Sequence, residues 1–217
     1  NVVSEMLSDP GDVDAAFAEA DMVVEGTYYA PRQYQAYLEP KMALAEYEAG
    51  RYTIHVSHQY PFSLRDRVAQ TLEVPKSSVR IIGHHIGGGF GGKLDLGLEA
   101  YAAYLAKQTG RPIKMVNSAR EEFLTAPCRE NAEVTIRSAL RHDGTILAQD
   151  VDVVFDSGAA ATDAPYLTSV PMFVFGSVYS IGTGRVRARA VYTNTAPTGA
   201  FRGVSGPYLV FALERHM

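Results

Sequence analysis

The sequence has 217 residues and a formal net charge of −4, with 47% hydrophobic and 20% charged residues. This composition is sufficient for a hydrophobic core, whereas the acidic charge argues against a basic nucleic-acid-binding surface. The single cysteine excludes an internal disulfide framework, and no apolar run approaches the roughly 18–20 residues that a membrane-spanning helix needs.

The first periodic segment predicts a short helix over residues 12–20. Val13, Ala16, Phe17 and Ala20 follow the i, i+3, i+4, i+7 spacing of one helical face. Strands are predicted where apolar and β-branched residues then accumulate, with a turn at Ala49-Gly50: residues 22–29, 41–48, 51–57 and 79–82.

A second helix is predicted between the third and fourth of these strands. A capping-box-like motif at residues 63–66 indicates its start. Leu64, Val68 and Leu72 form its apolar stripe, and Pro75 limits its end.

Residues 94–109 predict the clearest helix of the chain. Gly110 follows directly and occupies the position of a left-handed C-terminal cap. The apolar residues that share one helical face are expected to be buried: Leu94, Leu98, Tyr101, Ala102 and Leu105.

The second half of the chain predicts further strands and two short helices. Asp143-Gly144 is a strong hairpin signal, and Ser118 and Ser205 each indicate a helix start. The predicted strands are residues 112–116, 133–140, 145–155 and 185–192.

Strands and helices are mixed without strict βαβ alternation, which predicts an α+β fold with mixed β-sheets packed with helices. We assign residues 1–217 to one partial domain and no separate second domain. The sequence stops at Met217 inside an apolar helical pattern without a C-cap. We therefore expect a fragment or a split subunit.

A glycine cluster, Gly-Gly-Gly-Phe-Gly-Gly-Lys at residues 87–93, lies between a predicted strand and a predicted helix. Glycines without Cβ let backbone N–H groups approach a ligand, and a helix N-terminus favours an anion. The spacing from Gly87 to Lys93 fits a P-loop, but Leu94 stands where that motif needs Ser or Thr for Mg²⁺. The other reading is a tight structural corner without a ligand.

Three more segments accompany this cluster in order: the strand at residues 20–29, Leu-Glu-Pro at 38–40 and Ala-Phe-Arg-Gly at 200–203. Together the four segments resemble the molybdenum hydroxylases, the xanthine dehydrogenase and aldehyde oxidase family, over nearly the whole chain. The resemblance implies the N-terminal part of the molybdopterin-cofactor-binding subunit, with the fold of its first molybdopterin-binding domain.

The resemblance implies a molybdenum–molybdopterin cofactor, whose own sulfurs hold the metal, so no protein ligand to molybdenum is expected. Gln59 matches the glutamine whose amide hydrogen-bonds an oxygen ligand of molybdenum. The other implied cofactor-binding positions lie in two loops: Gly89, Phe90 and Gly91 in the first, and Ala200, Phe201 and Arg202 in the second. Taken singly, Gln59 is typical of a solvated turn, Phe90 of a core and Arg202 of a surface, so only the joint pattern supports these roles.

The resemblance also implies a substrate pocket at Leu94, at about Val170 and at Val204. Purine-oxidising members carry polar or aromatic side chains there, so we expect an aldehyde or a less polar aromatic heterocycle rather than xanthine. Carbon monoxide oxidation is not expected, because the cysteine of that branch lies near the second loop and Cys128 is remote in sequence.

No catalytic residue is expected in this chain, because the general-base glutamate of the family lies beyond the position that matches Met217. The resemblance implies the remainder of the molybdopterin subunit and iron–sulfur and FAD subunits or domains as partners. The isolated chain is therefore expected to be inactive and to lack the cofactor. The alternatives are a non-catalytic scaffold with this fold, or a phosphate-binding protein that uses residues 87–93.

Other polar clusters predict structural roles. His84 and His85 are adjacent in an extended segment and point to opposite faces. Asp150, Asp152 and Asp156 have the spacing of a solvated strand face, and we assign them no acid–base role. Residues 1–9 lack the basic start and apolar middle of a signal peptide, so we expect a cytoplasmic protein.

Overall fold

The computed structural model describes residues 1–217. Nine strands are formed: β1 (Val2–Ser8), β2 (Met22–Ala30), β3 (Met42–Glu48), β4 (Arg51–Val56), β5 (Val79–Gly83), β6 (Ile113–Val116), β7 (Ala132–Leu140), β8 (Ile146–Gly158) and β9 (Thr183–Tyr192). Seven α-helices accompany them: α1 (Val13–Ala18), α2 (Pro61–Thr71), α3 (Glu99–Thr109), α4 (Ala119–Thr125), α5 (Ala164–Leu167), α6 (Pro171–Val174) and α7 (Gly206–His216).

The chain forms two compact units. The first unit comprises residues 1–33, 127–199 and 203–217, and the second comprises residues 34–126 and 200–202. The chain therefore enters the second unit twice, the second time for three residues only. The assignment of residues 1–217 to a single partial domain stays a prediction.

The first unit is built on a five-stranded mixed sheet. The strand order is β1-β9-β8-β7-β2, in which only β8 and β9 are parallel neighbours. Asp143-Gly144 joins β7 to β8 as an antiparallel hairpin, as predicted, and Gly144 has a φ of +87°. Helix α7 packs against β2 and β7. The fully buried side chains of the resulting core include those of Ile136, Phe155, Leu209 and Leu213.

The second unit is built on a four-stranded mixed sheet. Its order is β5-β4-β3-β6, in which β4 and β5 are parallel. Ala49 and Gly50 form the predicted turn between β3 and β4, both with positive φ. Helices α2 and α3 contribute to the core beneath the sheet, whose buried members include Ile54, Val56, Leu64, Val68, Ala102 and Ala106. Two mixed sheets with packed helices confirm the α+β prediction.

The predicted helix over residues 94–109 is wrong at its start and in part of its buried face, although Ala102 is buried as predicted. Helix α3 begins at Glu99, whose carboxylate accepts the Gly97 N–H at 2.7 Å and so ends the preceding loop. The buried face is made of alanines and Glu99, whereas Tyr101 is 68% and Leu105 is 40% exposed. Small residues occupy the buried face because they let the helix pack closely against strand β3. Gly110 caps the helix with a φ of +62°, as predicted.

The start of α2 and the presence of β1 also differ from the sequence prediction. Helix α2 begins at Pro61, not at the predicted motif over residues 63–66, because Pro61 has a fixed φ suited to the first helical position. Strand β1 was not predicted, and it is an edge strand that pairs only with β9. No helix of this structure combines the length and apolarity that crossing a membrane requires.

Candidate functional site

The glycine loop, residues 87–93, follows strand β5 and forms a turn over residues 90–93. Gly88 and Gly91 have φ values of +94° and +105°, and Phe90 has +52°. The Gly92 N–H donates to the Gly89 carbonyl at 2.8 Å and helps to close this turn. A phenylalanine in the left-handed region is uncommon, so contacts around the loop must hold it there.

The glycines allow the loop to pack against protein groups at van der Waals distance. A Cβ on Gly89 would overlap the side-chain amide of Gln59, and a Cβ on Gly91 would overlap the carbonyl of Ala200. A Cβ on Gly92 would lie 2.5 Å from the Tyr37 ring. A Cβ on Gly87 would likewise lie 2.6 Å from the Cβ of Glu39. These approaches are all to protein atoms, so close packing accounts for four of the five glycines.

The second loop contributes residues 200–202 to the same unit as the glycine loop. The Arg202 N–H donates to the Phe90 carbonyl at 2.8 Å. The Ala200 carbonyl accepts from the Gln35 side-chain amide at 2.8 Å. The structure therefore joins the two loops, which are more than 100 residues apart in sequence, through a backbone hydrogen bond.

Gln59 lies between the end of β4 and the start of α2, and its side-chain oxygen is held by the glycine loop. Its Oε1 accepts from the Gly91 N–H at 2.9 Å and from the Lys93 N–H at 3.2 Å. The Gln59 N–H donates to the Lys93 carbonyl at 3.0 Å. Because Oε1 is used by two backbone donors, the orientation of the amide is fixed and its Nε2 hydrogens are directed away from these amides.

The neighbouring His58 fixes the backbone next to Gln59. Its Nδ1 accepts from the Tyr60 N–H at 3.0 Å, which leaves Nε2 to donate to the Asp95 carbonyl at 3.4 Å. Burial lowers the pKa of His58, against the weaker opposing effect of Asp95. A neutral ring with its proton on Nε2 satisfies both contacts.

The two-loop surface, defined here by Gln59, Phe90, Ala200 and Arg202, is accessible in this unit. Gln59 and Arg202 are exposed, and Phe90 is 44% exposed. The surface offers the amide hydrogens of Gln59, a permanently charged guanidinium and an aromatic ring. It is therefore a donor-rich surface for a group that carries oxygen acceptors or negative charge.

The structure at Lys93, the last residue of the glycine loop, argues against the hypothesis that the loop binds phosphate. Lys93 is 1% exposed, and its ammonium pairs with Glu39 at 2.6 Å, so it is not available to a phosphate. The loop does not run into a helix, because α3 starts only at Glu99. Glu39 was assigned no role from sequence, and Lys93 was considered only as the lysine of a P-loop. The signal for them was a glutamate in the Leu-Glu-Pro motif and a lysine that closes a glycine run.

The three predicted pocket positions fall in both units. Leu94 is half-buried in the second unit, in the segment between the glycine loop and α3. Val170 and Val204 belong to the first unit, where both pack against its hydrophobic core. Val204 has a φ of +47°, which is strained for a β-branched residue. Phe201 is half-buried and, like Ala200, belongs to the second unit.

The remaining polar clusters are held in local contacts. Asp150, Asp152 and Asp156 each pair with arginines. His55 Nδ1 and His84 Nε2 lie 3.0 Å apart, so these rings share a hydrogen bond. No group of three or more His, Cys, Asp or Glu side chains in residues 1–217 could hold a metal ion.

A family model described as the molybdopterin cofactor-binding domain matches residues 1–217. Among curated proteins, the chain is 34% identical to a probable xanthine dehydrogenase subunit of Bacillus subtilis over 218 residues, covering 100% of the chain and 29% of that protein. It is 39% identical to the nicotinate dehydrogenase large molybdopterin subunit of Eubacterium barkeri over 209 residues, covering 95% of the chain and 49% of that protein.

Solved structures of oxidoreductases also match over nearly the whole chain. The aldehyde oxidoreductase of Desulfovibrio gigas matches with a TM-score of 0.92 and 29% identity over 98% of the chain and 24% of that protein. The quinoline 2-oxidoreductase of Pseudomonas putida 86 matches with a TM-score of 0.91 and 26% identity over 100% of the chain and 28% of that protein. The chain thus spans less than half the length of each of these proteins.

Proposed function

The chain belongs to the molybdopterin cofactor-binding domain family, and on that premise we propose that it forms part of the cofactor site of a molybdenum hydroxylase, an oxidoreductase that hydroxylates its substrate with water. Family membership confirms the resemblance drawn from the sequence motifs and the predicted domain type. The activity is proposed for the complete protein, because the chain covers only 29% of one curated relative and 49% of another.

The orientation of the Gln59 amide carries this proposal. Two backbone donors of the glycine loop occupy its Oε1, so its Nε2 hydrogens face away from the loop amides. A neutral amide that presents only N–H groups can donate to an oxygen without adding charge. This is the property that the predicted role of Gln59, a hydrogen bond to an oxygen ligand of molybdenum, requires.

The residues present fit an anionic group that carries oxygen and sulfur. Arg202 supplies a permanent cation with a forked donor, and its own N–H fixes the second loop to Phe90. The Phe90 ring supplies an aromatic face beside these donors. When bound, the molybdenum cofactor supplies the redox chemistry, and the chain's residues orient it through Gln59, the 89–91 segment and the 200–202 segment.

We propose an aldehyde or an aromatic heterocycle of low polarity as the substrate. The positions that match polar or aromatic pocket residues of the purine-oxidising members are Leu94, Val170 and Val204, and none of them offers a hydrogen bond to a polar ring. Relatives named for an aldehyde and for quinoline fall within this class.

We also propose that the chain acts together with the remainder of a molybdopterin subunit and with iron–sulfur and FAD subunits or domains. A surface that leaves Gln59 and Arg202 exposed does not enclose a cofactor by itself. The isolated chain is therefore expected to bind no molybdopterin and to turn over no substrate.

The experiment compares Gln59→Leu with Gln70→Leu in the complete subunit. Gln70 is an exposed glutamine on α2 outside the two-loop surface, so it controls for the loss of an amide. We expect Gln59→Leu to change the Mo(V) electron paramagnetic resonance spectrum and to lower the turnover number by about 10-fold or more, as loss of one positioned donor does elsewhere. Gln70→Leu should change neither.

Identical spectra for wild type and Gln59→Leu would contradict the role of Gln59. Molybdenum analysis of the purified 217-residue chain tests the claim of insufficiency, and a stoichiometric metal content would overturn it. A complete subunit that assembles but contains no molybdenum would instead favour the scaffold alternative.

A further inference from the structure

A single residue, Glu39, holds both ends of the glycine loop. Its Oε2 accepts from the Gly87 N–H at 2.8 Å and from the Lys93 ammonium at 2.6 Å. Its own N–H donates to the Gly87 carbonyl at 3.1 Å. The first and last residues of the loop are thereby bound to one carboxylate.

The lysine at the end of the loop depends on this carboxylate. Lys93 is 1% exposed, whereas the Glu39 side chain is 31% exposed. The ammonium lies 5.0 Å from the centroid of the Tyr37 ring, and the Tyr37 hydroxyl donates to the buried Glu122. A desolvated ammonium requires a counter-charge, and Glu39 is the acidic partner that the structure provides.

The ionised form of Glu39 is favoured at neutral pH. Partial burial works against it, but the Lys93 ammonium, the Gly87 N–H and Ser57 together lower the pKa of Glu39 below its usual value. Glu39 therefore meets the Lys93 ammonium as a carboxylate at neutral pH.

Lys93 connects this ion pair to Gln59. Its side chain binds Glu39, while its backbone N–H donates to Gln59 Oε1 at 3.2 Å and its carbonyl accepts from the Gln59 N–H at 3.0 Å. We propose that Glu39 and Lys93 are positioning residues. They fix the orientation of the Gln59 amide and the position of the Phe90–Gly91 segment, and they do not contact the cofactor themselves. The expected effect on molybdenum rests on the proposed function, whereas the expected effect on the structure of the loop does not.

Three variants of the complete subunit test the proposal. Glu39→Gln keeps the side-chain shape and one acceptor but leaves the Lys93 ammonium without a counter-charge. Lys93→Met removes the ammonium and keeps the length of the side chain. The double variant E39Q/K93M removes both charges, so no unpaired buried charge remains.

The matched control is Asp66→Asn. Asp66 also forms an ion pair, with Lys76, in the same unit, but both side chains are exposed, at 40% and 62%. An exposed pair contributes little to structure, so this variant controls for the loss of a carboxylate.

The first readout is hydrogen exchange of the Gly91 and Lys93 amides, which needs no cofactor. We expect Glu39→Gln to accelerate this exchange by about 10-fold or more, because local opening is controlled by the contacts that hold the loop. Asp66→Asn should leave it unchanged. The double variant should recover the melting temperature lost in Glu39→Gln but should keep the fast exchange, because no side chain then ties residue 93 to residue 39.

The second readout is the Mo(V) spectrum and the molybdenum content, both of which should change in the double variant although its melting temperature is restored. Equal exchange rates in Glu39→Gln and Asp66→Asn would overturn the proposal. So would a double variant that restores exchange and spectrum together with stability, since the pair would then only stabilise the fold. A subunit without molybdenum in which exchange still responds would refute the proposed function and leave the loop assignment standing.

Discussion

Replacing Gly91 with alanine tests whether the junction of the two loops is held as tightly as its geometry indicates. Gly91 has a φ of +105°, in the region that residues with a Cβ avoid. The new Cβ would lie 2.6 Å from the carbonyl carbon of Ala200 and closer still to its oxygen. That carbonyl cannot move freely, because it accepts from the Gln35 side chain.

The expected loss of stability has two parts. A Cβ at positive φ costs roughly 1–2 kcal/mol. Relieving the overlap displaces Ala200, which weakens its hydrogen bond to Gln35 and the neighbouring one from Arg202 to Phe90, at about 1 kcal/mol each. Gly91→Ala is therefore expected to lower the free energy of unfolding by about 3–4 kcal/mol.

The assay is urea denaturation of the chain followed by circular dichroism, with Gly110→Ala as the control. Gly110 also has a positive φ, +62°, but a Cβ there would meet no atom within 4 Å. It should lose only the conformational part, about 1 kcal/mol, because its φ lies in the left-handed region that residues with a Cβ can adopt. Both replacements reduce the entropy of the unfolded chain alike, so their difference reports the overlap together with the greater strain of a Cβ at the φ of Gly91. Equal midpoints for the two variants, with unchanged denaturant slopes, would refute the assigned packing of the loops.

Two further predictions concern buried carboxylates of the second unit. Glu122 is 2% exposed and accepts hydrogen bonds from the Tyr37 hydroxyl, the Lys41 N–H and the Asn117 side chain. Glu122→Ala should therefore lower the free energy of unfolding by about 3–4 kcal/mol, and Glu122→Gln should recover part of this loss. An unchanged urea midpoint in Glu122→Ala would contradict this prediction. Burial raises the pKa of Glu99, so ionisation of Glu99 destabilises the folded state at pH values above the pKa of the unfolded chain and has no such effect at lower pH. Glu99→Gln should therefore raise the urea midpoint at pH 7 and should lose this advantage near pH 4. An equal gain at both pH values would show that the charge is not the cause.

Local signals in the sequence predicted the elements whose structure depends on a few neighbouring residues. Ser118 forms a capping box with Glu121, as its motif indicated. Gly110 and Gly144 adopt the positive φ values that a helix cap and a hairpin turn need. These features are reliable because the partners lie within four residues of each other and need no tertiary contact.

The start and buried face of α3 were not predictable in this way. An apolar pattern over residues 94–109 satisfies the helical period, but Glu99 binds the Gly97 N–H instead and sets the boundary. Tyr101 and Leu105 are left exposed because the space between helix and sheet accommodates alanine. Neither outcome can be read from the period alone, since the width of that space depends on the strands opposite.

For the site, the sequence by itself indicated the family, through four ordered motifs, and the residues proposed to hold the cofactor, namely Gln59, the glycine loop and Ala-Phe-Arg-Gly. Only the tertiary structure decided how these types are used. It placed Lys93 against Glu39, 54 positions away, and turned the oxygen of Gln59 toward Gly91, 32 positions away. The physical reason is that a buried charge or amide pairs with whichever group the folded chain brings next to it. That group can lie many residues away, so no short segment of the sequence specifies it.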